Sequence, residues 1–127
     1  MVARVQNNGL AEITAALVNH NLAKFLQWGT GSAAAASANV VTTTSTTEAR
    51  TTGTATQVTT TQTNDTYQVT GTITAAAARA ITEVGVFDAI GSGSPPTGGN
   101  MDIYGDFAVI NLATGDSIAF TVKVAFT

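Results

Sequence analysis

Residues Ser117–Thr127 read SIAFTVKVAFT, and large apolar side chains occupy every second position of this run. These alternating residues are Ile118, Phe120, Val122, Val124 and Phe126. A β-strand turns successive side chains to opposite faces, so the spacing predicts a strand with one buried face. Helical spacing would scatter the same five residues around the whole helix. The rest of the chain must therefore cover this apolar face.

Two antiparallel hairpins are predicted. The first ends the chain, because Phe107–Leu112 is a second apolar run and Ala113–Asp116 has the composition of a turn. The second covers Ala55–Thr74, where Asn64 and Asp65 supply the turn between two Thr-rich and Val-rich runs. Threonine suits strands because its branched side chain fits a pleated surface.

Further strands are predicted at Ala23–Trp28, Glu48–Thr52, Ile81–Asp88 and Met101–Asp106. In Ile81–Asp88 apolar residues fall on both faces, which is typical of a central strand, and Gly85 in its middle predicts either a bulge or a close packing neighbour. A short helix is predicted from Leu10 to His20, after an arm of residues 1–8. The predicted fold is an antiparallel β-sandwich or jelly roll over residues 23–127, preceded by the arm and helix in residues 1–22.

Charged residues are scarce. They make up 10% of the chain, with a net charge of −3, against roughly 25% in typical globular domains. Without a cluster of Lys and Arg, nothing indicates binding to nucleic acid or to an anionic membrane. An interior built from Ala, Val and Thr buries little apolar area per residue, so we expect association with further copies or with a larger partner.

No group of residues suggests catalysis, a cofactor or a metal site. The chain has one histidine, His20, and no cysteine, so no nucleophile–base pair and no thiolate ligand can be nominated. Four aspartates fall at predicted turns and are too dispersed for a calcium site: Asp88, Asp102, Asp106 and Asp116. The Gly29–Gly31 pair lacks the third glycine and the helix of a phosphate-binding loop.

Glu83 stands out as an acidic residue within a predicted central strand. A buried carboxylate without a partner is destabilising, so we expect Glu83 to pair with Arg50 or Arg79. Residues Met1–Asn8 lack the apolar core of a secretion signal, and no apolar run approaches the ~18 residues of a membrane span. We therefore expect the chain to be made in a cytoplasm and used or assembled there.

Three segments in order resemble small structural proteins of tailed bacteriophages: Phe25–Gly31 (FLQWGTG), Ile81–Asp88 (ITEVGVFD) and Ile110–Thr121 (INLATGDSIAFT). The resemblance extends from Phe25 to Thr127, although the Thr-rich middle carries little of it. It implies a virion protein, and in particular a capsid decoration (cement) protein with a β-sandwich fold. Members of that class commonly sit as trimers over junctions between capsid subunits.

The expected function is therefore non-enzymatic: a homotrimer binds the major capsid protein on the outer surface of the head and stabilises it. The residues expected to make capsid or oligomer contacts are Val2, Arg4, Val5, Leu10, Ile13 and Trp28. For Leu10, Ile13 and Trp28, ordinary core packing is the alternative. Two other functions stay open, a tail-fibre or tail-tip module and a carbohydrate-binding sandwich. The second would use exposed aromatic residues, for which Trp28, Tyr67 and Tyr104 are the candidates.

Overall fold

The computed structural model of the chain describes residues 1–20, 23–32 and 46–127. Within these ranges one helix, α1 (Asn7–His20), precedes seven strands. The strands are β1 (Phe25–Gly29), β2 (Thr51–Thr52), β3 (Thr54–Val58), β4 (Thr66–Thr74), β5 (Arg79–Phe87), β6 (Met101–Leu112) and β7 (Ser117–Ala125). The first part of the Thr-rich middle, residues 40–45, and the predicted domain boundary after residue 22 lie outside the described residues.

The strands form two antiparallel sheets. The four-stranded sheet has the order β2-β1-β5-β6, and the three-stranded sheet has the order β3-β4-β7. Apolar residues of both sheets belong to one buried core. The chain is thus mainly β, an antiparallel β-sandwich with one short helix at its N-terminal end, which confirms the predicted fold class.

Phe120 of β7 joins the two sheets. Its ring centroid lies 6.4 Å from that of Trp28 in β1 and 6.1 Å from that of Phe107 in β6. Phe120 is opposite Gly71 in the register of β7 with β4, and a Cβ at Gly71 would overlap the side chain of Leu26 in β1. The missing side chain lets Leu26 pack against the backbone of the facing sheet, so the two layers interdigitate.

The alternation in β7 is confirmed. The five alternating apolar residues from Ile118 to Phe126 are buried or half-buried, whereas Ala119, Thr121, Lys123 and Ala125 are exposed. One face of β7 therefore covers the core, as the period-two pattern predicted.

The predicted C-terminal hairpin is wrong. β7 pairs with β4 along its whole length, and β6 pairs with β5, so the two strands belong to different sheets. The turn between them crosses the sandwich, and it is held there because the Gly115 N–H donates to the Ala75 oxygen and the Ala75 N–H donates to the Asp116 oxygen, each at 2.8 Å. Phe107 and Phe120 can then meet in the core from opposite sheets, which a hairpin within one sheet would not allow.

The predicted hairpin over Ala55–Thr74 is confirmed, since β3 pairs with β4. Asp65 organises its loop and is fully buried. Its carboxylate accepts hydrogen bonds of 2.7–2.9 Å from three backbone N–H groups, those of Gln62, Thr60 and Thr61. These bonds hold the pKa of Asp65 well below its ordinary value, and the bond from Gln62 has the largest effect.

β5 is the central strand that the sequence predicted, between β1 and β6. The predicted bulge at Gly85 is wrong, because Gly85 pairs regularly with Gln27 and with Tyr104. The irregularities of the register fall on either side of it, between Ile81 and Glu83 and between Val86 and Phe87. β6 unites two predicted strands, since the chain continues from Met101 to Leu112 without a break.

Helix α1 begins at Asn7, three residues before the predicted start, and ends at His20 as predicted. Its inner face is tied to the β3–β4 hairpin through Thr14, which is fully buried. The Thr14 hydroxyl donates to the Asn64 oxygen at 2.6 Å and accepts from Gln57 Nε2 at 2.8 Å. α1 is therefore fixed on the three-stranded sheet, and the arm that precedes it is reduced to residues 1–6.

Gly53 provides a test of how closely the two sheets pack where the chain passes between them. It lies between β2 and β3, where the chain crosses from one sheet to the other, and an added Cβ would lie 2.7 Å from Val69 Cγ1, 2.8 Å from the Thr70 oxygen and 2.9 Å from the Lys24 oxygen. Because two of these three obstacles are backbone atoms, which cannot rotate away, we expect Gly53→Ala to lower the free energy of unfolding by about 1–3 kcal/mol in urea titrations. Gly105→Ala is the control, since a Cβ there meets nothing within 4 Å. Equal losses in the two variants would contradict this account.

Asp65 predicts a pH dependence. Its lowered pKa means that its carboxylate stabilises the fold above the ordinary carboxyl pKa of about 4, and that this stabilisation is lost as the pH falls below that value. We expect Asp65→Asn to lower the free energy of unfolding at pH 7, because an amide NH2 would face backbone donors. The difference from the unsubstituted protein should stay constant down to about pH 5 and narrow at pH 3. A difference of the same size at pH 7 and pH 3, measured by urea unfolding, would rule out this role.

Candidate functional site

The arm, residues 1–6, contains neither helix nor strand and is exposed along its whole length. Val2 is 98% exposed and Val5 49% exposed, and Arg4 is exposed between them. Three of the six predicted contact residues therefore lie on the surface. Apolar side chains presented in this way favour contact with another surface over contact with water.

The other three predicted contact residues belong wholly or partly to the interior. Leu10 is buried on the inner face of α1, and Trp28 is 1% exposed in the core, where its Nε1 lies 3.4 Å from Glu48 Oε2. Ile13 is half-buried. Leu10 and Trp28 are therefore core residues, as the alternative interpretation held. Of these three residues, only Ile13 retains surface that a partner could reach.

A second exposed apolar surface lies on the outer β6 segment, Phe107–Leu112. Val109 is 54% exposed and Ile110 is 40% exposed, and β6 is an edge strand of its sheet. The sequence analysis placed this run in the C-terminal hairpin and did not predict its exposure. The signal was present, because Phe107, Ala108, Val109 and Ile110 are consecutive apolar residues, and a strand cannot turn four consecutive side chains to one face.

An apolar groove of about 910 Å³ opens between α1 and the strands β6 and β7. Its apolar lining comes from Ile13 and Leu17 of the helix and from Ile103, Val124 and Phe126 of the strand side. Asp102 also lines the groove; partial burial and the charge of Asp88 raise the pKa of this carboxyl. The groove adjoins the first half of β6, so β6 borders exposed apolar surface at both ends.

Glu83 is fully buried in β5, and the predicted ion pair with Arg50 or Arg79 is wrong. Glu83 Oε2 accepts a hydrogen bond of 2.8 Å from the Tyr104 hydroxyl, and Oε1 accepts one of 3.2 Å from the Gly31 N–H. Arg79 instead forms a salt bridge with Glu48 at 3.1 Å. Two neutral donors therefore bond the carboxylate and connect β5, β6 and the segment after β1.

Arg50 holds the loop between β5 and β6. Its Nη1 donates to the Ala89 oxygen at 2.9 Å and to the Gly98 oxygen at 2.7 Å, and its Nε donates to Gln27 Oε1 at 2.8 Å. The guanidinium carbon lies 3.6 Å from the ring centroid of Phe87. Together these contacts fix both sides of the loop and so fix the point at which β6 begins.

The aromatic residues do not form a sugar-binding platform. Trp28 and Tyr67 are buried, so of the three candidates only Tyr104 retains exposed surface. Stacking on a sugar requires accessible ring faces. Within the described ranges, the side chains expected to support carbohydrate binding instead pack in the core or bond to buried groups.

The described residues contain no group of three or more His, Asp or Glu side chains that could hold a metal ion. In the same part of the chain, no helix has the length and apolar character needed to cross a membrane. The surfaces described above offer apolar contact and backbone hydrogen bonding.

Comparisons with known proteins add no relative. No protein-family model, no curated protein and no solved structure matches the chain.

Arg50 provides a test of how the loop is held. Lysine keeps the positive charge but cannot reproduce the forked hydrogen bonds, so Arg50→Lys should lower the free energy of unfolding by on the order of 2 kcal/mol. Hydrogen exchange should speed up at the amides of residues 89–98. Arg79→Lys is the matched control, because a lysine there can still pair with Glu48. Unchanged exchange in the loop of Arg50→Lys would show that Arg50 does not hold it.

Proposed function

We propose that the chain is a non-enzymatic structural protein of a tailed-bacteriophage virion. In this proposal it decorates the outer surface of the capsid as a homotrimer, binds the major capsid protein and stabilises the head. It would be made in the host cytoplasm and would act in the virion. The resemblance of Phe25–Gly31, Ile81–Asp88 and Ile110–Thr121 to such proteins supports this assignment.

The observation that carries the proposal is the exposed apolar surface of the arm and of the outer β6 segment. Val2, Val5, Val109 and Ile110 all lie outside the core of the sandwich. A free monomer gains nothing from presenting them to water, whereas a subunit held in an assembly covers them. The scarcity of charged residues, 10% of the chain, is typical of the same situation.

The proposed action is mechanical. The rigid sandwich acts as the body of each subunit, and the arm, with Val2, Arg4 and Val5, reaches neighbouring subunits of the assembled shell. A single arm makes a weak contact. Three arms in a trimer act together, and the linked contacts raise the overall affinity far above that of one arm. Many such trimers on one head would resist its expansion.

Binding to capsids tests this proposal. The purified protein is mixed with empty capsids at high salt, the capsids are pelleted, and the ratio of bound protein to coat subunits is measured. We expect saturation at a fixed ratio and a rise in the temperature at which the capsids disrupt. Apolar contacts survive screening, so salt should weaken the association little.

A substitution in the arm tests whether the arm contributes to capsid binding. Val2→Asp removes an apolar contact and adds a carboxylate that must be desolvated, so we expect at least about tenfold weaker binding to capsids. Ile90→Asp is the matched control, since Ile90 is also an exposed apolar residue but lies in the loop between β5 and β6. Absence of binding by the unsubstituted protein would overturn the proposal, and binding to isolated tails alone would identify a tail module instead.

A further inference from the structure

The apolar groove between α1 and the strands β6 and β7 has two walls that are held in place. Its helical wall is fixed on the three-stranded sheet, because Gln57 Nε2 donates to the Ala11 oxygen and to the Thr14 hydroxyl, each at 2.8 Å. On the β6 side, the Tyr104 hydroxyl donates to Glu83 Oε2 at 2.8 Å. The walls keep about 910 Å³ open between them, which lies within the roughly 300–1,000 Å³ of small-molecule sites.

The surface inside the groove is mainly apolar. Leu17, Ile103 and Phe126 line it and are half-buried at the margin of the core. Tyr67 also lines it, and its hydroxyl donates to the Ala23 oxygen, so the polar end of this side chain is already bonded. Water in such a cleft is displaced favourably by an apolar group, and the fixed walls reduce the cost of ordering the site.

One carboxylate, that of Asp102, gives the groove a negative charge. Among the described residues that line the groove there is no Lys or Arg, and the one basic side chain is that of His20. Burial and, after it, the charge of Asp102 raise the pKa of the Tyr67 hydroxyl. Partial burial and, after it, the charge of Asp88 raise the pKa of Asp102. The negative potential therefore extends over this part of the groove and attracts a cation.

We propose that the groove binds a small amphipathic amine, a molecule with an aliphatic or aromatic body and a protonated amino group. The body fills the apolar cleft, and the amino group pairs with the Asp102 carboxylate. This pairing also offsets the repulsion between Asp102 and Asp88. The groove lining includes none of the arm residues Val2, Arg4 and Val5, so ligand binding is a second activity, separate from capsid decoration.

Decylamine and decanoate are matched probes, because they have the same apolar chain length and opposite head-group charges. Each is titrated calorimetrically into the purified protein at pH 7, below the concentration at which it aggregates. We expect one decylamine to bind per chain, at least about tenfold more tightly than decanoate. Asp102→Asn keeps the shape of the side chain and should remove most of this difference. Asp116→Asn is the control, since Asp116 lies in the turn after β6 and does not line the groove.

A second variant fills the groove. Ala16 is an exposed residue of α1 that lines the groove, so Ala16→Trp adds a ring there without removing a core side chain. We expect it to weaken decylamine binding at least about tenfold. Ala125→Trp is the control, because Ala125 is exposed on β7 but does not belong to the lining. It should bind decylamine like the unsubstituted protein, and circular dichroism checks the folding of both variants.

The proposal is overturned if neither probe binds, if decanoate binds as tightly as decylamine, or if Ala16→Trp folds and binds unchanged. Tighter binding of decanoate would identify His20 as the partner of the head group. A lower mass of Ala16→Trp by light scattering would show that a second copy occupies the groove instead.

Failure of the groove proposal is distinguishable from failure of capsid decoration. Asp102→Asn should saturate empty capsids at the same ratio as the unsubstituted protein. Loss of capsid binding in this variant would show that the groove belongs to the capsid contact and would overturn its assignment to a small ligand. A protein that binds decylamine as expected but ignores capsids supports the groove and overturns capsid decoration.

Discussion

The packing of Phe120 between Trp28 and Phe107 is the interaction on which the sandwich depends. β7 brings Phe120 from the three-stranded sheet, while β1 and β6 bring the other two rings from the four-stranded sheet. The chain has only eight aromatic residues in 127, and much of the remaining interior is Ala, Val and Thr. These three rings pack against one another across the two sheets and contribute apolar contact between them.

This core requires the chain to cross between the sheets, and the crossings determine which strands are left at the edges. After the turn that follows β6, the chain enters β7, which pairs with β4 in the other sheet. β6 therefore remains an edge strand of its own sheet. Had β6 and β7 formed a hairpin, β7 would have covered that edge. The exposed apolar surface of the outer β6 segment is therefore a consequence of how Phe107 and Phe120 meet in the core.

Buried polar groups tie the loops and strands of the sandwich together. Asp65 accepts backbone N–H groups in the β3–β4 loop, Glu83 accepts the Tyr104 hydroxyl, and Arg50 donates to both sides of the β5–β6 loop. Each of these side chains makes hydrogen bonds to residues of the described structure. A rigid body with extended, exposed apolar segments suits a subunit that works by contact, and this links the fold to the proposed role in a virion.

Local patterns in the sequence determined the elements themselves. Alternation identified β7, Thr-rich runs flanking Asn64 and Asp65 identified the β3–β4 hairpin, and apolar residues on both faces identified β5 as central. These patterns reflect interactions within one strand or between neighbours in the chain, which residue spacing records. The tertiary structure alone decided that β7 pairs with β4, that the Tyr104 hydroxyl bonds Glu83, and that Val109 and Ile110 are exposed. Those outcomes depend on contacts between residues far apart in the chain, and the alternation of a single strand carries no information about which strand it will meet.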